Sequence, residues 1–286
     1  MSASIRMHGD APRRDVAMEL TPHSVPSEHL NVGRLRRENE EMWSYPPSRI
    51  LVPVDFGKAS GRAASVAGAI ARRFRARVRA LHAETLEAPP YFTHDQMGSL
   101  ERQRIAARTA ALRYLASFAD AFTGVQVSAE IVDGPPESAI IEAARDTDLI
   151  VMGTHGRRGP SRWWLGSVAE RVVRASNVPV LVVREEAEGA ASSPEQIFAR
   201  PLVVLGSDVF DGDANRYATG LASEFDGKVP SEAPACDVTV ANERKATLMV
   251  IPAKTGGGNW FGESTERLLR GCTLPMLFVP SSPTSP

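Results

Sequence analysis

The sequence predicts an α/β protein whose first half folds as a doubly wound, five-stranded parallel sheet. Three observations predict it. Short apolar runs alternate with longer stretches whose apolar residues recur at helical spacing. The intervals between runs are long enough for the crossover helices that parallel strands require. The same series then restarts, in shortened form, after residue 197. Composition agrees: 286 residues allow two domains, and 43% apolar with 23% charged residues is ordinary for a globular chain.

Residues 1–47 mix Pro, Ser, His, Arg and Glu without steady periodicity, and read as a flexible extension with a short helix near Val32–Met42. The compact region begins at Ser48. Ile50–Asp55 (ILVPVD) is an apolar strand, and Ala63, Ala67, Ile70 and Phe74 then share one face of an Ala-rich helix. Arg77–Ala83 is the second strand. A loop containing Pro89 and Pro90 leads to a longer helix over about Met97–Phe122, with Leu112, Leu115, Ala119 and Phe122 on one stripe. Val125–Val132 is the third strand, closed by Asp133-Gly134-Pro135. A helix over Glu137–Arg145, a strand at Asp148–Met152, a Gly-rich loop, a helix at Gly166–Ala175 and a strand at Val178–Val183 complete the unit. Helices of this length between strands imply right-handed crossovers and cover on both sheet faces.

Residues 185–196 read as a linker, 197–280 as a truncated second repeat and 281–286 as a tail. Leu202–Leu205 starts the second series. Without gaps, Gly166–Arg174 aligns with Gly262–Arg270, including Glu170-Arg171 on Glu266-Arg267. Val178-Pro179-Val180-Leu181 aligns with Leu274-Pro275-Met276-Leu277, and Asp148–Met152 with Thr247–Ile251. The copy is short: Leu51 to Val151 spans 100 positions, Val203 to Val250 only 47. A strand and one or two helices are therefore expected to be missing, and the fragment is expected to dock on the first half to cover its apolar faces.

The net charge of -1 hides an asymmetry, because residues 185–286 carry 8 Lys+Arg against 14 Asp+Glu. The first half is thus basic, but not enough to argue for nucleic acid as partner. No run approaches the ~18 apolar residues of a membrane helix. Cys236 and Cys272 lack disulfide or metal spacing and fit a reducing, cytoplasmic setting.

The chemistry lies in Met152-Gly153-Thr154-His155-Gly156, nine further residues, then Gly166-Ser167. It begins where a parallel strand ends and finishes where a helix starts, the edge at which open α/β sheets bind ligands. The amides of Gly166, Ser167 and Val168 would face an anion at the helix start, and the Ser167 hydroxyl would add a donor. Arg157, Arg158 and Arg162 add charge. Asp55 is read as a ligand contact at the first strand end, or as a cap of the next turn. Trp163 and Trp164 suit loop packing or an interface, and His82 and His94 suit structural or solvated roles. Neither G-x-x-x-x-G-K-[ST] nor G-x-G-x-x-G is present.

Gly-x2-Gly-x9-Gly-Ser after LIVMGTHG, with ILVPVD, the Asp-Gly-Pro-Pro turn at 133–136 and VPVLVV, resembles the ATP-binding branch of the universal stress protein family over residues 48–184. The resemblance implies strand order 3-2-1-4-5, an ATP site with or without Mg, and pairing through the fifth strand. It also implies roles. Pro53 and Asp55 would meet the adenosine end, Ala83 would line the adenine pocket, and Met152 and Gly153 would lie near adenosine and ribose. His155 and Gly156 would run along the phosphates, held by Gly166, Ser167 and Val168. In the second half Pro252, Lys254, Thr255 and Glu263 stand for Gly153, His155, Gly156 and Ser167. Proline has no amide to donate, and a carboxylate competes with phosphate for the helix dipole. That half is expected to bind no ATP and to serve in intrachain pairing.

The expected function is a nucleotide-binding stress or regulatory protein, with an adenine nucleotide and protein partners, homodimer included. A slow ATPase or phosphotransferase at the same site is the enzymatic alternative. The matched residues, however, supply donors and glycines rather than a base. A ligand-free interaction module is the third class.

Overall fold

The computed structural model describes residues 3–7, 18–22, 43–55, 57–84, 119–154, 165–184, 193–205, 212–233, 238–253 and 272–280, with most helical positions between 98 and 115. Among the described residues eleven strands form one sheet, in the order β2-β1-β5-β4-β3-β6-β7-β11-β10-β8-β9.

Strands β3 (Arg49–Pro53), β4 (Arg77–Glu84), β5 (Val127–Asp133), β6 (Leu149–Gly153) and β7 (Val180–Val183) fall within two residues of the predicted limits. They are parallel and lie in the order β5-β4-β3-β6-β7, which is 3-2-1-4-5 counted from Arg49. The fully described crossover helices are α1 (Lys58–Phe74), α2 (Pro136–Ala144) and α3 (Ser167–Ala175). Helix α1 is almost enclosed, with Ala63, Ala64, Ala67 and Ile70 fully buried. The alanines among them let the helix approach β6 and β3 closely. It ends where Arg75 turns left-handed (φ 55°) and the amide of Ala76 reaches back to the carbonyl of Ala71 at 3.0 Å.

Beyond the first unit, β8 (Pro201–Val204), β9 (Ser231–Ala233), β10 (Leu248–Ala253) and β11 (Met276–Pro280) are parallel in the order β9-β8-β10-β11. Helices α4 (Gly212–Glu224) and α5 (Val238–Glu243) accompany them. Only residues 234–237 separate β9 from α5, where the first unit has a helical region and β5. Local geometry repeats across the two units. The left-handed turn at Arg75 has a counterpart at Asp226 (φ 53°), where the amide of Gly227 reaches the carbonyl of Ala222 at 2.7 Å. The bond from Asp148 N to Arg49 O (2.9 Å) has a counterpart from Thr247 N to Arg200 O (2.9 Å).

The units meet along β7 and β11, which run antiparallel with Leu181 opposite Leu277. A second contact lies beside α1 and α4. Phe74 meets Phe225 edge-on at 6.4 Å, and Arg73 pairs with Glu224 at 2.8 Å. Trp43 and Tyr45 enter the same seam, where Tyr217 lies 5.6 Å from the Trp43 ring and 4.7 Å from that of Tyr45. Gly220 is required here, because a Cβ on it would sit 2.2 Å from the Tyr45 hydroxyl. Burial drives the Tyr217 phenol well above its ordinary pKa, so it stays protonated.

The N-terminal segment departs from expectation. Within 1–47, read as a flexible extension, β1 (Ala3–Met7) and β2 (Met18–Pro22) form an antiparallel hairpin, and β1 pairs with β5. The sequence ASIRM does alternate, but five residues are too few to register as periodicity. Pairing closes an edge of β5 that would otherwise be open. The helix expected near Val32–Met42 lies outside the described residues, as does Cys236; Cys272 is buried.

Asp148, just before β6, fastens the amino end of β6 to that of β3. Its carboxylate accepts from the Ser48 hydroxyl (2.7 Å), the Ser48 and Arg49 amides (3.0 and 2.9 Å) and the Arg49 guanidinium (3.0 Å). Burial works against its charge, but the hydrogen bonds from Arg49 and Ser48 outweigh that and hold its pKa below the ordinary value. A depressed folded pKa contributes stability fully above the unfolded value of about 3.9, and the contribution is lost as pH falls through the folded pKa. Asp148→Asn is therefore expected to cost about 1–2 kcal/mol at neutral pH and to flatten the acid limb of stability. Melting temperatures of both proteins between pH 2 and pH 7 check this; parallel acid limbs would contradict it.

Candidate functional site

At the carboxyl edge of the first unit lies a cavity of about 710 Å³, a size typical of small-molecule sites. It opens where β3 and β6 diverge, with β4 on one side and the start of α3 on the other. That is the topological switch point of the sheet.

Asp55 stands two residues past β3. Its carboxylate Oδ1 accepts from the Gly57 amide at 2.9 Å and from the Ser60 hydroxyl. The Ser60 oxygen in turn accepts from the Asp55 amide at 3.0 Å. The turn-capping role therefore exists, and it uses one oxygen only. Gly57, not Asp55, is the N-cap residue of α1.

The strand end itself is held from β4. The Val54 amide donates to Leu81 O at 2.8 Å, and His82 Nδ1 lies 2.7 Å from Val54 O. A carbonyl only accepts, so Nδ1 carries the proton in that bond. His82 Nε2 lies 3.9 Å from a carboxylate oxygen of Glu84. His82 thus lines the cavity rather than serving only the core or solvent.

On the other side, β6 ends at Gly153, and backbone packing fixes that residue. A Cβ there would lie 2.8 Å from the Ala59 backbone and side chain, so only glycine lets α1 seat against β6. Gly153→Ala is expected to cost about 1–3 kcal/mol, read as a lower midpoint in a denaturant titration. An unchanged midpoint would contradict this packing role.

Thr154, 2% exposed, donates its amide to Val183 O at 3.0 Å and accepts from the Gly166 amide at 2.6 Å. These bonds join the end of β6 to the start of α3. Gly166 is the N-cap residue, and Ser167 is the first helical residue, exposed and without a side-chain capping bond. The first intrahelical bond is Glu170 N to Gly166 O at 2.9 Å, so the amides of Ser167, Val168 and Ala169 precede the helical ladder. All three residues line the cavity. Glu170 in the first turn pairs with Arg174 at 3.0 Å, one turn down the helix.

Eight of the ten residues singled out from the sequence lie on this cavity: Pro53, Asp55, Ala83, Met152, Gly153, Gly166, Ser167 and Val168. His155 and Gly156 lie outside the described residues, with the loop arginines, Trp163 and Trp164. Ser60, His82, Pro136 and Ile140 also line the cavity and were not singled out. Ser60 and Ile140 belong to helices and carry no motif. His82 had a signal, since it precedes Ala83 on the same strand. No group of three or more metal-ligating side chains occurs among the described residues, and no helix there is long and apolar enough to cross a membrane.

Comparison with known proteins places these features in context. The sequence model of the universal stress protein family matches residues 47–184. A universal stress protein of Methanocaldococcus jannaschii is 36% identical over 142 residues, covering 48% of this chain and 82% of that one. A universal stress protein of Mycobacterium tuberculosis is 30% identical over 141 residues, or 49% of this chain; the chain spans only 44% of that relative. Among solved structures, a universal stress protein from Archaeoglobus fulgidus superimposes with TM-score 0.61 at 16% identity, over 82% of this chain and 99% of that one, a likeness of fold.

Proposed function

Because this chain belongs to the universal stress protein family, we propose that it is a nucleotide-responsive regulatory protein of a stress response, holding one adenine nucleotide in the cavity of its first unit. One observation carries the reading. The unladdered amides of Ser167, Val168 and Ala169 and the carboxylate of Asp55 line the same cavity. An anion suits the helix start, and a hydroxyl or amine donor suits the carboxylate. A nucleotide carries both. The triphosphate would lie at α3 and along His155 and Gly156, the ribose near Asp55 and Met152, and the base towards Ala83.

Holding is favoured over turnover. The titratable side chains among the described lining residues are Asp55, just past β3, and His82 on β4, and no described lining residue on α3 is titratable. Phosphoryl transfer to water needs an orienting group beside the terminal phosphate. We assign no base there.

The second unit is proposed as a degenerate repeat without nucleotide, used for pairing within the chain. Its support is the register at the junction. Leu181 faces Leu277, and these residues occupy matching positions in the aligned repeats. Contact of equivalent residues across a line is the mark of an isologous interface. A cytoplasmic location and pairing with a further copy belong to the same proposal.

Calorimetric titration of the full chain with ATP, with and without Mg, tests the reading. One ATP per chain is expected, with no timed release of phosphate at high ATP. Absence of uptake removes the nucleotide site, two ATP per chain removes the degenerate repeat, and steady phosphate release makes the protein an ATPase.

A further inference from the structure

We propose that Ser60 is a positioning residue for ligand recognition: its hydroxyl locks one oxygen of Asp55 so that the other is presented to a hydroxyl or amine donor of the bound nucleoside. This rests on the reading of the cavity as a nucleotide site.

The geometry is specific to this pair. Ser60 is a polar residue in the first turn of α1 with only 2% of its surface exposed. Its oxygen accepts the Asp55 amide at 3.0 Å, and its proton goes to Asp55 Oδ1. Oδ1 also accepts the Gly57 amide at 2.9 Å. Among the described residues no hydrogen bond reaches Oδ2, although Asp55 lines the cavity. A carboxylate with two donors on one oxygen cannot rotate freely about its terminal bond, so its plane is set before a ligand arrives. A buried serine in a helix ordinarily turns its hydroxyl to a carbonyl one turn back. Ser60 instead commits both its donor and an acceptor lone pair to Asp55, two residues beyond the strand.

The lock extends to the opposite wall. The Ser60 amide lies 3.0 Å from where a Cβ on Gly153 would be. Ser60 therefore sits under both strand ends that frame the cavity, and its backbone is held while its side chain orients Asp55. Preorganisation of this kind raises affinity by removing an ordering cost at binding.

A double-mutant cycle in the full chain tests this, with ATP titrated calorimetrically and a melting curve recorded for each variant. Ser60→Ala is expected to weaken ATP binding about tenfold, as loss of a charge-assisted hydrogen bond would. In an Asp55→Ala background the same change is expected to alter affinity less than twofold, because the group it orients is gone. A merely structural serine would weaken binding equally in both backgrounds, and that result overturns the proposal. So does Ser60→Ala binding ATP like the native chain. Should Ser60→Ala fail to fold, Ser60→Cys, close in size and a weak donor, carries the same comparison. A native chain that takes up no ATP overturns the nucleotide reading and this role together; an ATP-binding chain with an additive cycle overturns the positioning role alone.

Discussion

Replacing Ser167 by glutamate is expected to lower ATP affinity at least about a hundredfold while leaving the fold intact. Ser167 is the exposed first residue of α3, so the new side chain has room and buries no charge. It would nevertheless stand at the helix start where the amides of Ser167, Val168 and Ala169 face the cavity. Two unit charges about 4 Å apart interact by roughly 4 kcal/mol at an effective dielectric of about 20. A hundredfold loss corresponds to only about 2.7 kcal/mol, so the estimate leaves room for screening. Ser167→Ala, which removes one donor and adds no charge, should cost less than tenfold. Calorimetry on both variants, with matched melting temperatures, separates charge from donor loss. Equal affinities for Ser167→Glu and the native chain would sink the assignment of phosphate to this helix. In the gapless alignment of the two halves, Glu263 falls opposite this serine.

The second large effect concerns the junction of the two units. Leu277 is fully buried at the middle of the β7–β11 ladder, opposite the equally buried Leu181. Leu277→Ala removes methyl groups from a site walled by two strands that cannot collapse inward without breaking register. A cost of about 2–5 kcal/mol is expected, or a fall in melting temperature of about 5–15 °C for a unit of this size. Leu181→Ala should behave alike if the residues share one packing site, and the double variant should cost less than the sum. Thermal melts of the three proteins decide the matter. A loss below 1 kcal/mol at either position would mean that the ladder contributes little to holding the units together.

The five parallel strands of the first unit, and β8, β10 and β11 of the second, are legible as short apolar runs, whereas β9 is three residues of Ser, Glu and Ala and carries no such signal. Ile50–Val54 and Leu149–Met152 are buried from both faces, and such strands show as continuous apolar runs. The cavity was legible from one side only. Gly166, Ser167 and Asp55 lie at element ends, where residue type and position together carry meaning. Ser60 was not legible, because a serine in an Ala-rich helix looks like an ordinary small residue until Asp55 is placed above it. Gly153 was read as a ligand neighbour; its nearest constraint is Ala59 on α1, a contact across the sheet that spacing cannot reveal. The hairpin of β1 and β2 was missed because each strand is five residues long and is defined by its partner β5. The aromatic seam of Trp43, Tyr45 and Tyr217 joins residues more than 170 positions apart and has no local signature.

The register of Leu181 on Leu277 also has a genetic consequence. In a dimer of identical chains, every substitution appears on both sides of the axis, so damage to one pocket damages the other. Two units on one chain escape that rule, since a codon change alters one side alone. On the proposal that the second unit is a degenerate repeat, this freedom accounts for Pro252 and Glu263 in one unit beside Gly153 and Ser167 in the other. The second unit thereby covers β7, whose wholly apolar edge would otherwise be open.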